Sequence, residues 1–227
     1  MTSKISGLIA GLAILVGALG LGWPENRDAV LHVDDNDWDS AHIAPFVPTP
    51  PEVVSRMLEL AEIKHGDVLY DLGSGDGRIV VAAAKRFGIR AVGFEIDPVL
   101  VKDSRQIIKR AGLEELVEIR EQDIRTVDFA PASVVTMYLY PAVNLRLRPV
   151  LMRELKPGSR VISHDFGMGS WKPDRVERLR KRRGLRRRSS PPATMARRGW
   201  SITKEVIHRR GQPSEQERLK EDADVSA

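Results

Sequence analysis

Between residues 49 and 174, short apolar runs alternate with longer stretches in which apolar residues recur at helical spacing. The short runs predict five strands, at Val68–Leu72, Ala91–Ile96, Leu116–Arg120, Ser133–Leu139 and Arg160–Ser163. The longer stretches predict helices over Arg78–Phe87, Pro98–Ala111 and Ala142–Leu155, and a glycine follows close behind each of them. Strands buried on both faces that alternate with helices are typical of a parallel sheet with helices on either side. The pattern therefore predicts an α/β doubly wound domain.

Local signals refine the helix boundaries. Thr49-Pro50-Pro51-Glu52 predicts a helix start, with Thr49 as the N-cap and Glu52 completing a capping box. Asp97, just before Pro98, is the expected N-cap of a later helix. The polar interval 122–131 is too short to predict a full helix.

Before the domain lies an apolar segment of nineteen residues without a charge, Ile5–Trp23. At about 1.5 Å per helical residue it matches a hydrocarbon core of roughly 30 Å. We interpret residues 1–23 as a membrane anchor or, alternatively, a signal segment with small residues before a cleavage point. Residues 24–48 are acidic and proline-bearing, which predicts a linker.

The charge is uneven along the 227 residues, whose formal net charge is +5. Residues 1–170 carry a balance of −4 and residues 171–227 a balance of +9. Because only eight of those last 57 residues are Val, Ile, Leu or Phe, we expect 175–227 to be a basic, poorly ordered tail with one weak strand, Trp200–Ile207. The chain has no cysteine, which excludes disulfides and thiolate metal sites, and we expect no metal.

The stretch from Asp71 to Arg78 closes a strand and opens a helix, where open α/β sheets bind ligands. Its glycines, Gly73, Gly75 and Gly77, let a ligand approach the backbone. The spacing differs from a dinucleotide fingerprint, because Arg78 stands where the third glycine would be, and no Gly-Lys-Ser/Thr follows for a Walker A loop. Asp71 would repel phosphates but suits a cationic ligand such as S-adenosylmethionine.

Two later strand ends supply what such a ligand requires. Glu95 can accept hydrogen bonds from both ribose hydroxyls, and Asp123, after the third strand, is a polar residue that can bind the adenine amine. Ile124 can pack on the adenine ring. The donor-binding residues that these patterns predict are Asp71, Gly73, Ser74, Gly75, Gly77, Glu95, Asp123 and Ile124.

At these residues the chain resembles class I S-adenosylmethionine-dependent methyltransferases. The segments that narrow the resemblance are Pro45–Pro48, Asp71–Val80 with Ala82–Lys85, Ala91–Glu95, Leu100-Val101 with Ser104-Arg105, and Trp171–Asp174. Over residues 44–174 they resemble the membrane-anchored protein-lysine methyltransferases, which include the mitochondrial enzyme acting on the c subunit of ATP synthase. The resemblance implies a lysine acceptor in a protein. It also implies that the Pro-Thr-Pro turn closes over the methionine end of the donor, which adds Thr49 to the predicted donor-binding residues.

The chain departs from the class I pattern at its end. A class I domain closes with two further strands, the last of them antiparallel, and residues 175–227 do not predict both. We therefore expect a sheet that stops short or an ending replaced by the Arg-rich tail.

Candidates for the acceptor side follow strands four and five. They are Tyr138, Tyr140 and Asn144 on one side and His164 and Asp165 on the other. Alternation places the two tyrosines on one face, where core packing is the competing interpretation, and His164 could instead be a capping or solvent-facing residue. A serine hydrolase is excluded, because no G-x-S-x-G elbow is present.

Other functions stay open from sequence alone. The basic tail could contact RNA or anionic lipid, although no aromatic residues interleave its arginines for base stacking. The alternatives are an RNA or small-molecule methyltransferase, or an inactive donor-binding module tethered to a membrane. Because the donor is made in the cytoplasm, we expect a membrane-associated protein with its domain on the cytoplasmic side, and export after signal cleavage as the alternative.

Overall fold

The computed structural model describes residues 46–179 and 200–207, which contain one seven-stranded sheet. Its strands are β1 (Val68–Leu72), β2 (Arg90–Glu95), β3 (Val117–Glu121), β4 (Val134–Met137), β5 (Arg160–His164), β6 (Arg175–Leu179) and β7 (Trp200–Val206). The helices are α1 (Pro51–Leu60), α2 (Arg78–Phe87), α3 (Pro98–Arg110) and α4 (Pro141–Glu154). In the interval 122–131 the backbone forms a single 3₁₀ turn at Ile124–Thr126. The predicted α/β class and all five predicted strands are confirmed.

The strand order is β3-β2-β1-β4-β5-β7-β6. Strands β1 to β5 pair in parallel, while β7 runs antiparallel to both β5 and β6. In this register Asp71 lies between Gly93 on β2 and Thr136 on β4. The carboxyl ends of β1 to β4 therefore meet at one edge of the sheet.

Each face of the sheet has its own apolar cluster. On one face α1, α2 and α3 pack over residues such as Leu69, Ala91 and Ile162. On the other, α4 and the connection from β3 to β4 pack over Val92 and Met137. The helices that follow β1 and β4 therefore lie on opposite faces, which opens a crevice between these adjacent strands.

The expectation that the sheet stops short is wrong. Arg175–Leu179 forms the edge strand and Trp200–Val206 fills the place between it and β5, so both closing strands are present. The sequence did not predict β6 because this strand is rich in charged residues. Edge strands carry such residues, which discourage pairing with other chains. The predicted tail 175–227 thus contains sheet residues, whereas 180–199 and 208–227 lie outside the described residues.

The predicted cap of the first helix is also wrong. Pro50 occupies the N-cap of α1 and no side chain caps the helix, because Thr49 turns its hydroxyl toward His164, 3.3 Å from Nδ1. The Asp97 cap is confirmed, with its carboxylate accepting hydrogen bonds from the amides of Val99 and Leu100.

The predicted anchor or signal at 1–23 and most of the predicted linker 24–48 lie outside the described residues. Within the ranges that the structure does describe, no helix is both long and apolar enough to cross a membrane.

A buried ion pair ties the amino ends of the central strands to α1. The Arg160 guanidinium, at the start of β5, lies 2.5 Å from the Asp67 carboxylate just before β1. It also donates to the carbonyls of Ala61 and Glu62, at the end of α1. Burial alone would raise the pKa of Asp67, but the Arg160 guanidinium, the Lys64 amide and the Ser133 hydroxyl together outweigh it, and the pKa is lowered. The carboxylate is therefore charged in the folded protein at neutral pH.

Replacing Arg160 should destabilise the fold strongly, since Arg160→Leu leaves a buried carboxylate without its cation. We expect a loss of about 3–5 kcal/mol in the free energy of unfolding, measured by chemical denaturation. Arg153→Leu is the matched control, because Arg153 is exposed and pairs only with its neighbour Glu154 among the ion pairs described; it should cost about 0–1 kcal/mol. Equal losses in the two variants would contradict the structural role of Arg160.

Candidate active site

The glycine loop between β1 and α2 has the backbone conformation that its sequence predicts. Gly73, Gly75 and Gly77 have φ angles of 71°, 55° and 76°, a region that residues with a side chain rarely adopt. A Cβ at Gly75 would lie 2.3 Å from the ring of Phe46. The amides of Gly73 and Ser74 donate to the carbonyl of Phe94 at the end of β2. The loop is therefore folded against the second strand and covered by the segment that precedes α1.

This loop borders a cavity of about 450 Å³ at the carboxyl edge of the sheet. Its wall combines the segment 46–49, the glycine loop and the residues that follow β2, β3 and β4. Predicted donor-site residues in the wall are Thr49, Asp71, Gly73, Ser74, Glu95, Asp123 and Ile124. The volume lies within the range of about 300–1,000 Å³ that is usual for small-ligand sites.

Asp71 lies at the bottom of the crevice, 2% exposed. Its carboxyl accepts a hydrogen bond of 2.7 Å from the Thr136 hydroxyl on the neighbouring strand. Burial raises the pKa of Asp71 to about 7, although Thr136 opposes the shift, and the nearby carboxylates of Glu95 and Asp76 add to it. The Asp71 carboxyl therefore loses its proton readily near neutral pH when a cation enters the cavity.

Glu95 ends β2, and three backbone amides orient its carboxylate. One oxygen accepts from Gly75 at 2.8 Å, and the other accepts from Ile96 and Asp97 at 2.8 and 3.0 Å. Two carboxylate oxygens offer about four acceptor sites, so capacity for a hydroxyl ligand is left. The carboxylate thus faces the cavity in a fixed position beside the glycine loop.

Asp123 follows β3 and holds the 3₁₀ turn together. It accepts from the amide of Arg125 at 2.9 Å and pairs with the Arg125 guanidinium, which lowers its pKa. Its carboxylate therefore has a structural role as well as a place in the cavity wall. Ile124, next along the chain, is 7% exposed and gives the same wall an apolar surface.

Arg78, for which the sequence predicted no role in the site, holds the entrance segment 46–49 in place. The Arg78 guanidinium donates to the Thr49 carbonyl at 2.8 Å and pairs with Asp76 within the glycine loop. The signal in the sequence was Arg78 itself, the residue standing where a dinucleotide fingerprint has its third glycine. Leu100 and Leu139 also line the cavity, although the sequence analysis did not predict them as site residues, because an apolar residue in a helix or strand also fits the core.

On the acceptor side, Tyr138 lines the cavity and stacks on His164, with ring centroids 3.9 Å apart. His164 is fully buried, which overturns the solvent-facing interpretation, and burial lowers its pKa to about 4. Its imidazole is therefore neutral at pH 7 and contacts the entrance segment through Thr49.

Two further acceptor-side candidates, Tyr140 and Asn144, lie away from the cavity wall. Strand β4 ends at Met137, so the expected alternation stops there, and Tyr140 precedes α4 and packs against the apolar cluster of that face. Asn144 is fully buried and donates to the Phe166 carbonyl at 2.8 Å. Both residues therefore shape the loops beside the cavity, and their predicted catalytic roles stay predictions.

Comparison with known proteins places this geometry in a family. The profile of the ANTKMT methyltransferase domain matches residues 71–175. A protein-lysine N-methyltransferase of Saccharolobus islandicus is 45% identical over 133 residues, which are 58% of this chain and 83% of that protein. The chain belongs to the ANTKMT family of protein-lysine methyltransferases. S-adenosylmethionine is therefore the methyl donor of this chain.

Two further relatives extend the comparison. A Homo sapiens enzyme, named as the lysine N-methyltransferase of the ATP synthase c subunit, is 39% identical over 132 residues, and this chain spans only 56% of its length. A crystal structure described as an RNA methyltransferase from Salinibacter ruber, in complex with S-adenosyl-L-homocysteine, has 47% sequence identity and a TM-score of 0.61. That match covers 74% of this chain and 97% of the other. The methyltransferase family is thus supported by sequence and by fold.

The residues present fit the donor. The Ser74 hydroxyl is 5% exposed, lies in the cavity wall and has no hydrogen-bond partner among the described residues, so a bound ligand could satisfy it. Asp71 and Glu95 provide negative charge for a molecule that carries an ammonium and a sulfonium and no phosphate. Leu100, Ile124 and Leu139 give the cavity an apolar surface, which an adenine ring would contact.

Donor affinity should increase with pH, because Asp71 must lose its proton to face a cation. With a pKa of about 7 in the unliganded protein, Asp71 is mostly protonated at about pH 5.5 and mostly ionised at about pH 7.5, so S-adenosylmethionine should bind about tenfold more tightly at the higher pH. Calorimetric titration of the chain at both pH values measures this difference.

Two variants test the assignment of that pH dependence. Asp71→Asn should bind at least about tenfold more weakly at the higher pH and lose the dependence. Glu95→Ala should weaken binding by a similar factor and keep the dependence, since Asp71 is intact. An Asp71→Asn protein that still gains affinity with pH would show that another group is responsible.

Proposed function

We propose that this chain transfers methyl groups from S-adenosylmethionine to the side-chain amine of a lysine in a protein. The observation that carries the proposal is the cavity at three successive strand ends, where Asp71, Glu95 and Asp123 surround the glycine loop. Family membership adds the acceptor class, since the archaeal and animal relatives are named for lysine N-methylation.

The protein's contribution to the reaction is positioning and exclusion of water. When bound, S-adenosylmethionine supplies a methyl group on a positively charged sulfur, which leaves with the electron pair of the broken C–S bond as the amine forms a C–N bond. Phe46 and Thr49 cover one side of the cavity and Tyr138 borders another, so the walls limit solvent access. A lysine amine must be neutral to attack, and burial between such walls lowers the pKa of an amine.

The name of the animal relatives suggests which acceptor to examine first. Four relatives, from human, mouse, rat and Xenopus laevis, are named as lysine N-methyltransferases of the ATP synthase c subunit, at 36–40% identity. We therefore propose a lysine of the ATP synthase c subunit as the acceptor.

The direct test is incubation of the full chain with S-adenosylmethionine and the purified ATP synthase protein, followed by mass spectrometry of the acceptor peptides. We expect methyl-sized mass increments on a lysine, and a large loss of them with Glu95→Ala at limiting donor concentration. Donor binding without methylation of any protein lysine, either in the purified acceptor or in a total cell extract, would overturn the proposed acceptor class.

RNA is the second candidate acceptor, because the Salinibacter ruber relative with 47% identity is described as an RNA methyltransferase. The same incubation with total RNA distinguishes the two. Methylated nucleosides in the RNA digest and unmodified protein would favour this candidate.

We also propose that residues 1–23 anchor the protein in a membrane with the domain on the cytoplasmic side. The supporting observation is the uncharged run Ile5–Trp23. A C-terminal tag should then be accessible to protease only after the cells are opened. A tag that is digested from outside intact cells would overturn this orientation and favour export.

A further inference from the structure

An unusual residue stands at the carboxyl end of β5, beside the acceptor side of the cavity. Asp165 has a φ angle of 63°, a left-handed conformation that residues with a side chain rarely adopt. Its amide donates to the Ser201 carbonyl at 2.7 Å, and its Oδ1 accepts from the Ser201 amide at 2.9 Å. Strand β7 therefore holds this backbone in place, and the hydrogen bond from the Ser201 amide fixes the direction of the carboxylate.

The carboxylate is directed toward the acceptor side. The nearby Asp165 carboxylate adds to the rise in the pKa of Tyr138, while the side chain of Tyr138 lines the donor cavity and packs against His164. The second oxygen of Asp165 lies 3.7 Å from Nε2 of His164. One tyrosine therefore connects the donor cavity to a carboxylate just outside its wall.

None of the three described contacts of Asp165 supplies a positive charge. Burial raises the pKa of Tyr138 to about 12, so this residue is neutral at pH 7. Burial lowers the pKa of His164 to about 4, so at pH 7 the imidazole is neutral as well. Ser201 contributes only backbone groups. The side chain of Asp165 is 21% exposed, so a ligand from solvent can reach it.

We propose that Asp165 binds the side-chain ammonium of the incoming lysine and holds it beside Tyr138, at the mouth of the donor cavity. The inference rests on the proposed function, because it assumes a lysine acceptor. The positive sulfonium of the donor repels an ammonium, and a carboxylate at the entrance offsets that repulsion. Asp165 is thus an acceptor-binding residue, distinct from Asp71 and Glu95 on the donor side.

Asp165→Asn is a suitable variant to test this role. Asparagine has nearly the same shape, tolerates the left-handed backbone and keeps an oxygen that can accept from the Ser201 amide. The substitution therefore removes the charge and little else. Asp103→Asn is the matched control, because Asp103 is an exposed carboxylate on α3.

The probes are two donor analogues, in which nitrogen replaces the sulfonium sulfur and carries either an aminobutyl or a butyl chain. The aminobutyl chain places a terminal ammonium toward the mouth of the cavity, and the butyl chain lacks that charge. Calorimetric titration of the full chain should show the aminobutyl analogue binding at least about tenfold more tightly. In Asp165→Asn this preference should fall to about twofold or less, whereas Asp103→Asn should keep it.

The outcomes separate this inference from the proposed function. Three results would each overturn the role of Asp165. They are no preference for the aminobutyl analogue in the unmodified chain, a preference that Asp165→Asn retains, or an equal loss of affinity for both analogues in that variant. In the first two cases the donor site stands, since the butyl analogue still binds. Failure of both analogues to bind the unmodified chain would overturn the donor site and the proposed function together.

A second variant covers the case in which Asp165→Asn does not fold. Glycine adopts the left-handed conformation without strain, so Asp165→Gly removes the carboxylate and relieves the backbone. The same loss of preference for the aminobutyl analogue is expected, and a preference that persists would overturn the proposal.

Discussion

The site depends on the placement of β1 next to β4 in a parallel sheet. The helices that follow these two strands pack on opposite faces, α2 on one and α4 on the other, so the chain leaves a crevice at their carboxyl ends. The glycine loop, the Glu95 carboxylate and the Tyr138 ring are all brought to this crevice by strand order. The cavity is therefore a consequence of topology, and the individual residues adapt it to a particular ligand.

Electrostatics decides which ligand the crevice accepts. Asp71 is almost completely buried and shares its surroundings with Glu95 and Asp76, so its charge is unfavourable until a cation arrives. This arrangement disfavours phosphates and favours a molecule with an ammonium and a sulfonium. Two backbone features let such a molecule come close to the main chain: the left-handed glycines and the amides that orient Glu95.

The acceptor side has a different composition. Tyr138, His164 and Phe166 form an aromatic cluster, and Trp200 from β7 packs against His164 with ring centroids 5.1 Å apart. Because β7 also fastens Asp165, the closing strands do more than finish the sheet. They support the surface to which a lysine would be brought, so a chain ending at β5 would lack that support.

The sequence by itself determined the features that depend on neighbours along the chain. Strand and helix alternation, the left-handed glycines after β1, the Asp97 cap and carboxylates at successive strand ends all follow from spacings of a few residues. Tertiary structure decided the features that join distant segments. Thr49 was predicted to cap a helix, but its hydroxyl contacts His164, 115 positions away along the chain. The charged β6 forms a strand because β7 lies beside it. Such pairings depend on burial and on long-range contacts, which a local pattern of apolar and polar residues does not encode.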